Sequence, residues 1–360
     1  MDKYNNIIQW NCRGVKPNFE ELSLLVSQYS PVAVCLQETF LRSTDNFTLK
    51  YYTCYSKSVD GGDRANGGVT LAISNAVPHS PVPLDTPLQV TAAKISLNKT
   101  ITLCSLYLPP NQVLNIDDLQ GLISQLPRPF LLVGDFNAHN PLWGCGGTNR
   151  RGRQLEDLIS NNELCLLNNK SHTYLHPATG SYSALDLSIC SPDIFLDYSW
   201  NVDDDLHGSD HFPIIISENG PSVLERPSRW KLYKADWGLF QTLCAGSISR
   251  EALLDLEDPT ESISSLIYRA AEESIPRTSA HPKKRNKPWF DDNCKAAIKE
   301  CKSALRAFDL RPTQENLDAF RVQRAKTRRT LNRRVNIWVD PQKIATKAFL
   351  IVFGCAWVTQ

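Results

Sequence analysis

The sequence predicts a mixed α/β body, a sandwich of two sheets with helices outside, followed by a mainly helical, basic tail. Three observations lead there. From residue 5 to about 218, short β-branched apolar runs alternate with polar loops marked by Gly or Pro. Several of these runs follow one another without a helix-length crossover, which favours a two-sheet sandwich over a doubly wound parallel sheet. After Ser217 the composition changes and the apolar spacing becomes helical.

Taken in order, the candidate strands are Ile7–Trp10, Val32–Leu36, Gly68–Ile73, Thr100–Tyr107, Phe130–Val133, Leu185–Ile189 and Pro213–Ile216. Each is a short run rich in Val, Ile, Leu or Phe beside a turn-forming loop. Helices are expected over Glu20–Tyr29, Asp117–Leu126 and Arg153–Asn161, where apolar residues recur at three and four positions. Gly220, Pro221 and Pro227 mark a linker, taken as 219–236. From Trp237 the pattern is helical, punctuated by Pro288 before a long stretch from Asp291 to Val335. The expected organisation is therefore a catalytic body over 1–218, a linker, a helical connector over 237–340 that is basic from 283, and a short apolar end over 341–360.

Charge divides the chain the same way. The totals of 39 basic and 38 acidic residues conceal 16 Lys/Arg against 6 Asp/Glu between Lys283 and Arg334, so an acidic body carries a basic tail. With 42% hydrophobic residues the chain can build a core, which excludes wholesale disorder. The 11 cysteines form no C-x-x-C pair or zinc-finger spacing, so neither a disulfide framework nor a structural zinc is indicated and a reducing compartment fits. The first residues do not read as a signal or transit peptide. The apolar run 349–358 is too short to span a bilayer and reads as a buried end, so no membrane partner is expected. The basic run 282–287 suits a nuclear address.

Six stations carry the chemistry. Leu131-Leu132-Val133-Gly134-Asp135-Phe136-Asn137 runs a strand into a carboxylate and a carboxamide two residues apart. In a strand i and i+2 point the same way, so Asp135 and Asn137 can face one ligand, although an Asx turn reads equally well. Gly208-Ser209-Asp210-His211-Phe212-Pro213 delivers Asp and His at a strand mouth; this suits phosphate, or a His capping a turn. Glu38 ends the strand begun at Val32, a place for a Mg²⁺ ligand or simply a solvated strand end. Asn11 follows the first strand and Asp186 enters a later one, as turn residue and edge charge in the plainer reading. Tyr107, before Leu108-Pro109-Pro110, reads by itself as half-buried core.

In order, these stations read W-N-x-x-G, Q-E-T, S-x-Y-x-P-P, G-D-F-N-A, S-x-x-D-L and S-D-H, a series that resembles the endonuclease/exonuclease/phosphatase superfamily over residues 5–217. Within it the chain is similar to the endonuclease of non-LTR retrotransposons of the jockey and I-element type. That likeness rests on His139-Asn140-Pro141-Leu142-Trp143-Gly144, on Thr148-Asn149-Arg150-Arg151-Gly152, and on Thr173 ahead of Ser183 and Asp186. Arg229-Trp230-Lys231-Leu232, Pro288-Trp289-Phe290-Asp291 and the basic helix resemble the connector towards a reverse transcriptase, which the chain itself does not contain; a truncated element is the simplest account.

The resemblance implies a four-layered α/β sandwich with its site at the rim. It also implies Mg²⁺, with Mn²⁺ as the alternative hard cation, on Glu38 with Asn11 and Asp210 near it. Asp135 would transfer the proton, His211 oriented by Asp186 would touch the phosphate, Asn137 and Tyr107 would position it, and Thr173 and Ser183 would contact the DNA backbone. Arg13, Arg42, Arg64 and the Arg150–Arg153 cluster are candidate phosphate contacts, or a solvated surface. The expected activity is target-site nicking of double-stranded DNA that leaves a 3′-hydroxyl. Within the same fold the alternatives are an abasic-site repair nuclease or a small-molecule phosphoesterase. From another class, an inactive remnant would bind nucleic acid, including element RNA, through its basic tail.

Overall fold

A computed structural model describes residues 5–59, 65–220, 230–245, 259–277, 287 and 289–339. The chain divides into two compact units, one made of Met1–Leu224 with Arg285–Gln360 and the other of Glu225–Lys284.

The first unit is built on two six-stranded sheets. One holds β1 (Asn5–Asn11), β2 (Ala33–Gln37), β3 (Tyr52–Lys57), β4 (Val69–Ser74), β13 (Tyr198–Val202) and β14 (Ile214–Glu218), in the order β13-β14-β1-β2-β4-β3. The other holds β5 (His79–Val82), β6 (Gln89–Ser96), β7 (Thr100–Tyr107), β8 (Phe130–Asp135), β9 (Cys165–Leu166) and β12 (Asp186–Cys190), in the order β5-β6-β7-β8-β12-β9. A small hairpin pairs β10 (Tyr174–Leu175) with β11 (Tyr182–Ser183). The two parallel pairs are β1–β2 and β7–β8, each joined through a helix as parallel neighbours require. Those crossovers are α1 (Phe19–Tyr29) and α2 (Ile116–Gln125); α3 (Arg150–Asn161) follows β8.

Strand alternation creates the layers. Ile7, Ala33, Leu71, Leu103, Leu131 and Val133 point between the sheets, while Ile8, Trp10, Val34 and Leu36 point outward onto Leu22 and Leu25 of α1. On the opposite face Cys104, Leu106 and Leu132 meet Leu119 and Leu122 of α2 and Leu155 of α3. The result is the four-layered sandwich that the resemblance implied. Strands β3, β5, β6, β9, β10, β11 and β13 were not among the sequence candidates; β3 is a partly exposed edge strand with polar residues mixed in, and its register on β4 supplies the order. Helix α3 starts three residues earlier than expected, because the Asn149 side chain accepts from Gly152 N at 2.7 Å and caps it.

The basic stretch after 285 forms a helical hairpin, α6 (Asp292–Leu310) and α7 (Gln314–Val339), broken at Arg311-Pro312-Thr313 and packed on the sandwich. Leu305, Phe308, Leu317 and Phe320 form one buried cluster with Leu175, Leu206 and Phe212. Gly180 admits this packing, since a Cβ there would lie 2.6 Å from Phe308 Cζ. The second unit contains α4 (Trp237–Ala245) and α5 (Pro259–Ser274), with the Arg277 guanidinium stacked 4.0 Å above the Trp230 ring. Half of the expected linker, the run 282–286 and the apolar end 341–360 lie outside the described residues.

Candidate active site

The inward face of the sandwich changes character towards one end. Along β1 it runs Ile7, Gln9, Asn11; along β2, Ala33, Cys35, Gln37; along β7, Leu103, Ser105, Tyr107; along β8, Leu131, Val133, Asp135. Antiparallel β12 brings its start to the same end, so the series there is Cys190, Ser188, Asp186. In mid-sandwich the sheets are held by apolar packing. At this end hydrogen bonds join them: Gln37 Nε2 donates to Ser105 Oγ at 2.9 Å, Gln9 Nε2 to Asp186 Oδ1 at 3.2 Å, Asn11 Nδ2 to Asp135 Oδ2 at 2.9 Å, and Tyr107 OH to Glu38 Oε1 at 2.9 Å. Buried polar groups need such partners, and here each sheet supplies the other's.

Asp135 and Asp186 stand opposite one another on β8 and β12. His211, on the loop entering β14, is inserted between them: Nδ1 donates to Asp186 Oδ2 at 2.7 Å, and Nε2 lies 3.9 Å from Asp135 Oδ2. All three are almost fully buried. Burial opposes a charged imidazole, but the Asp186 and Asp135 carboxylates outweigh it and push His211 up to about 10. Burial likewise pushes Asp135 up, to about 7, with His211 and the Asn11 amide pulling the other way. A buried imidazole whose charged form the flanking carboxylates favour thus lies beside a carboxyl whose proton affinity burial raises.

The loops complete the rim. Asn137, at φ 49°, gives its amide to Asp135 Oδ2 at 2.9 Å and to the Leu108 carbonyl at 3.1 Å. Glu38 also has a left-handed backbone, φ 49°, a costly conformation for a residue with a Cβ that recurs where a side chain must be aimed. Asp210 pairs with Arg13 at 2.8 Å. Ser209 Oγ donates to the Asn11 carbonyl at 2.7 Å, which ties the 208–211 loop to the end of β1. Tyr174 lays its ring 4.7 Å from that of His211.

Two expectations change in this geometry. Thr173, expected on the DNA backbone, is wholly buried; its Oγ1 accepts from the N–H groups of Leu185 and Asp186, so it sets the start of β12 and offers no surface to a ligand. Arg151, expected in a phosphate-binding cluster, is buried and donates to the carbonyls of Phe136, Leu108 and Pro109, pinning the loops after β7 and β8. Asn11, expected near a metal as an orienting or outer ligand, donates Nδ2 to Asp135 and accepts from Arg13 N at Oδ1. Ser183 is half-buried on β11, and Arg13 remains half-exposed at the mouth. Arg64 lies outside the described residues.

The donor chemistry fits a hard cation. Glu38, Asp135 and Asp210 all bear on the Tyr174 hydroxyl, and Glu38 and Asp186 both bear on Asp135, so these carboxylates share one neighbourhood. Among the described residues no group of three or more His, Cys, Asp and Glu side chains is placed to hold a metal ion. The Glu38 carboxylate, only partly buried and among other carboxylates, suits a hard ion that takes few protein ligands and keeps most of its water.

Sequence reading passed over Gln9, Gln37, Ser188 and Tyr174. Ser188 Oγ accepts from Trp200 Nε1 at 3.0 Å and donates to Gln9 Oε1 at 3.3 Å; Gln9 then holds Asp186, so a buried relay supports the His211 partner. The available signal was a polar residue two positions away on the same strand, Gln9 before Asn11 and Ser188 after Asp186.

A family model described as "Endonuclease-reverse transcriptase" matches residues 101–215. The chain is 24% identical over 290 residues to the probable RNA-directed DNA polymerase from transposon X-element of Drosophila melanogaster, a match covering 77% of this chain and 31% of that protein. It is 26% identical over 286 residues to the RNA-directed DNA polymerase from mobile element jockey of the same organism, covering 74% of this chain and 30% of that one. The chain thus spans under a third of the length of these curated relatives. Among solved structures, the endonuclease domain of TRAS1, a telomere-specific non-LTR retrotransposon, superposes with a TM-score of 0.51 at 21% identity, over 60% of this chain and 98% of that one. The chain is homologous to jockey and X-element proteins, and its sandwich has the endonuclease/exonuclease/phosphatase fold.

Proposed function

We propose that this chain carries the metal-dependent DNA endonuclease of a non-LTR retrotransposon, which nicks a target duplex and leaves a 3′-hydroxyl. The observation that carries the reading is the imidazole of His211 enclosed by Asp186 and Asp135 at the open end of the sandwich. Homology to jockey and X-element proteins supports the choice of DNA over a small phosphorylated molecule.

In this mechanism His211, held as imidazolium by Asp186, donates a hydrogen bond to a non-bridging oxygen of the scissile phosphate. Negative charge grows on that oxygen as water attacks, and a donor already oriented in a buried site stabilises it without reorganisation. Asp135 handles the proton that water loses or the leaving oxygen gains, a task suited to a carboxyl near neutrality. The new bond joins the water oxygen to phosphorus while the bond from phosphorus to O3′ breaks, so the phosphate stays on the 5′ side. Asn137 and Asn11 orient Asp135, and the Tyr107 hydroxyl orients Glu38. Glu38 would hold the hydrated Mg²⁺, which supplies positive charge for the phosphoryl and leaving oxygens.

The test is nicking of supercoiled plasmid by the full chain. In Mg²⁺, open-circular product whose ends a DNA polymerase extends is expected; chelator should abolish it, and Asp135→Ala or His211→Ala should each lower the rate by about 10²–10⁴-fold with an unchanged melting profile. Cleavage confined to abasic sites would transfer the assignment to a repair nuclease. Salt-dependent DNA retardation with no cutting would make the chain a binding remnant.

A further inference from the structure

The α6–α7 hairpin borders a cleft of about 900 Å³ whose other wall is the rim of the sandwich, including Arg13, Asn18 and Gly208. Helix α7 lies against the catalytic loop itself: the Arg324 guanidinium donates to the carbonyl of Ser209, the residue before Asp210 and His211. The cleft therefore borders the loop that carries His211, and it shares Arg13, the partner of Asp210, with the rim of the candidate site.

Its lining carries six cationic side chains against two anionic ones, in a body that is otherwise acidic. The two anions are already engaged. Glu21 faces His207 Nδ1 at 3.4 Å, and Asp205 accepts from His207 N at 3.1 Å and lies 3.9 Å from Lys302. Four of the cations also have protein partners: Arg13 with Asp210, Lys302 with Asp204, Arg321 with the Pro177 and Ala178 carbonyls, and Arg324 with Ser209. Arg328 and Arg329 are exposed and have no hydrogen bond or ion pair among the described residues. Arg321, Arg324 and Arg328 stand at i, i+3 and i+7, one stripe of α7 about 10 Å long. Burial lowers the Arg324 pKa, Asp210 opposes this, and the like charges of Arg13 and Arg328 add to the lowering. A cationic stripe that repels itself beside a phosphate-cutting site is complementary to a polyanion.

We propose that the α6–α7 hairpin is a DNA-binding arm of the nuclease, and that Arg328 and Arg329 hold backbone phosphates of the duplex to one side of the scissile bond. This rests on the endonuclease reading above and extends it, since the polyanion that reaches the cleft is the substrate already lying across the mouth. Phosphate contacts of this kind position a duplex without reading its sequence.

The experiment uses the full chain and a 25-base-pair duplex in chelator, so that binding is measured without turnover by fluorescence anisotropy over a salt series. Removing one arginine that neutralises a phosphate flattens the plot of log K against log salt by about 0.9, so Arg328→Ala/Arg329→Ala should reduce the slope by about 1.8 and weaken binding roughly tenfold near 0.1 M salt. In Mg²⁺ the same variant should nick plasmid with a raised KM and an unchanged kcat. An unchanged slope at an unchanged melting temperature overturns the arm. So does a slope change seen with single-stranded RNA but not with duplex DNA, which would make the hairpin an RNA-binding element. Failure of the wild-type chain to nick would sink the endonuclease reading alone, because the slope is measured without cutting.

Discussion

His207 is a second buried imidazole, four residues from His211, and it lies among carboxylates of its own. Its Nδ1 faces Glu21 at 3.4 Å, while Nε2 is 3.9 Å from Asp203 Oδ2, too far for a hydrogen bond, so that attraction is Coulombic. Burial opposes the charge, yet Asp203 and Glu21 together push His207 up to about 10. A pKa raised in the folded state gives stability that is complete below the unfolded value of about 6.5 and disappears as pH climbs through the folded one. Melting temperature should therefore fall between pH 6.5 and 10, and fall distinctly less in His207→Gln; parallel curves for the two proteins would disprove the ion cluster. At this scale sequence and structure meet unevenly. Asp135, Asp186, Asp210 and His211 stood out through the ordered series of motifs they share, since each taken singly reads as well as a turn or strand-edge residue. Gln9 and Ser188 were not, because one neutral polar residue within an apolar run says nothing until its cross-sheet partner is known.

The strand is the unit that delivers these residues. Gly134 precedes Asp135 on β8, and a Cβ there would lie 1.9 Å from the Leu106 carbonyl oxygen of β7, a collision with backbone that cannot yield. Gly134→Ala should cost about 3 kcal/mol or more, and it should abolish nicking by displacing Asp135 from Asn11 and His211. Thermal denaturation and the plasmid assay would check it, and wild-type behaviour in both would show that β7 and β8 can separate without consequence. Helix α3 offers the complementary lesson. Its basic first turn reads as a phosphate site in sequence, but Arg151 points inward and serves loop carbonyls. Periodicity located the helix; only packing could say which of its arginines faced the interior.

For the molecule as a whole, the basic hairpin is part of the sandwich unit. Leu175, Leu206 and Phe212, the last next to His211 in the chain, are buried by Leu305, Phe308, Leu317 and Phe320 from the hairpin. A chain ending at Leu224 should therefore melt about 5–10 °C below the full chain, since uncovering several such side chains costs a few kcal/mol. Calorimetry on both would decide it, equal melting temperatures being the contrary result. The sequence showed that these residues were helical and basic, and by itself it left open whether they packed on this body.

What the polypeptide's order of residues determined alone was the α/β character, the strand ends bearing acid, amide and imidazole, and the charge contrast between body and tail. Those are local properties, set by side-chain periodicity and composition. The tertiary structure decided that five strands turn polar at the same end, that Thr173 and Arg151 are internal braces, and that α7 lies beside His211. Such facts depend on pairing between segments up to about two hundred residues apart, which no local pattern encodes; burial and Coulombic shifts arise only once that pairing exists.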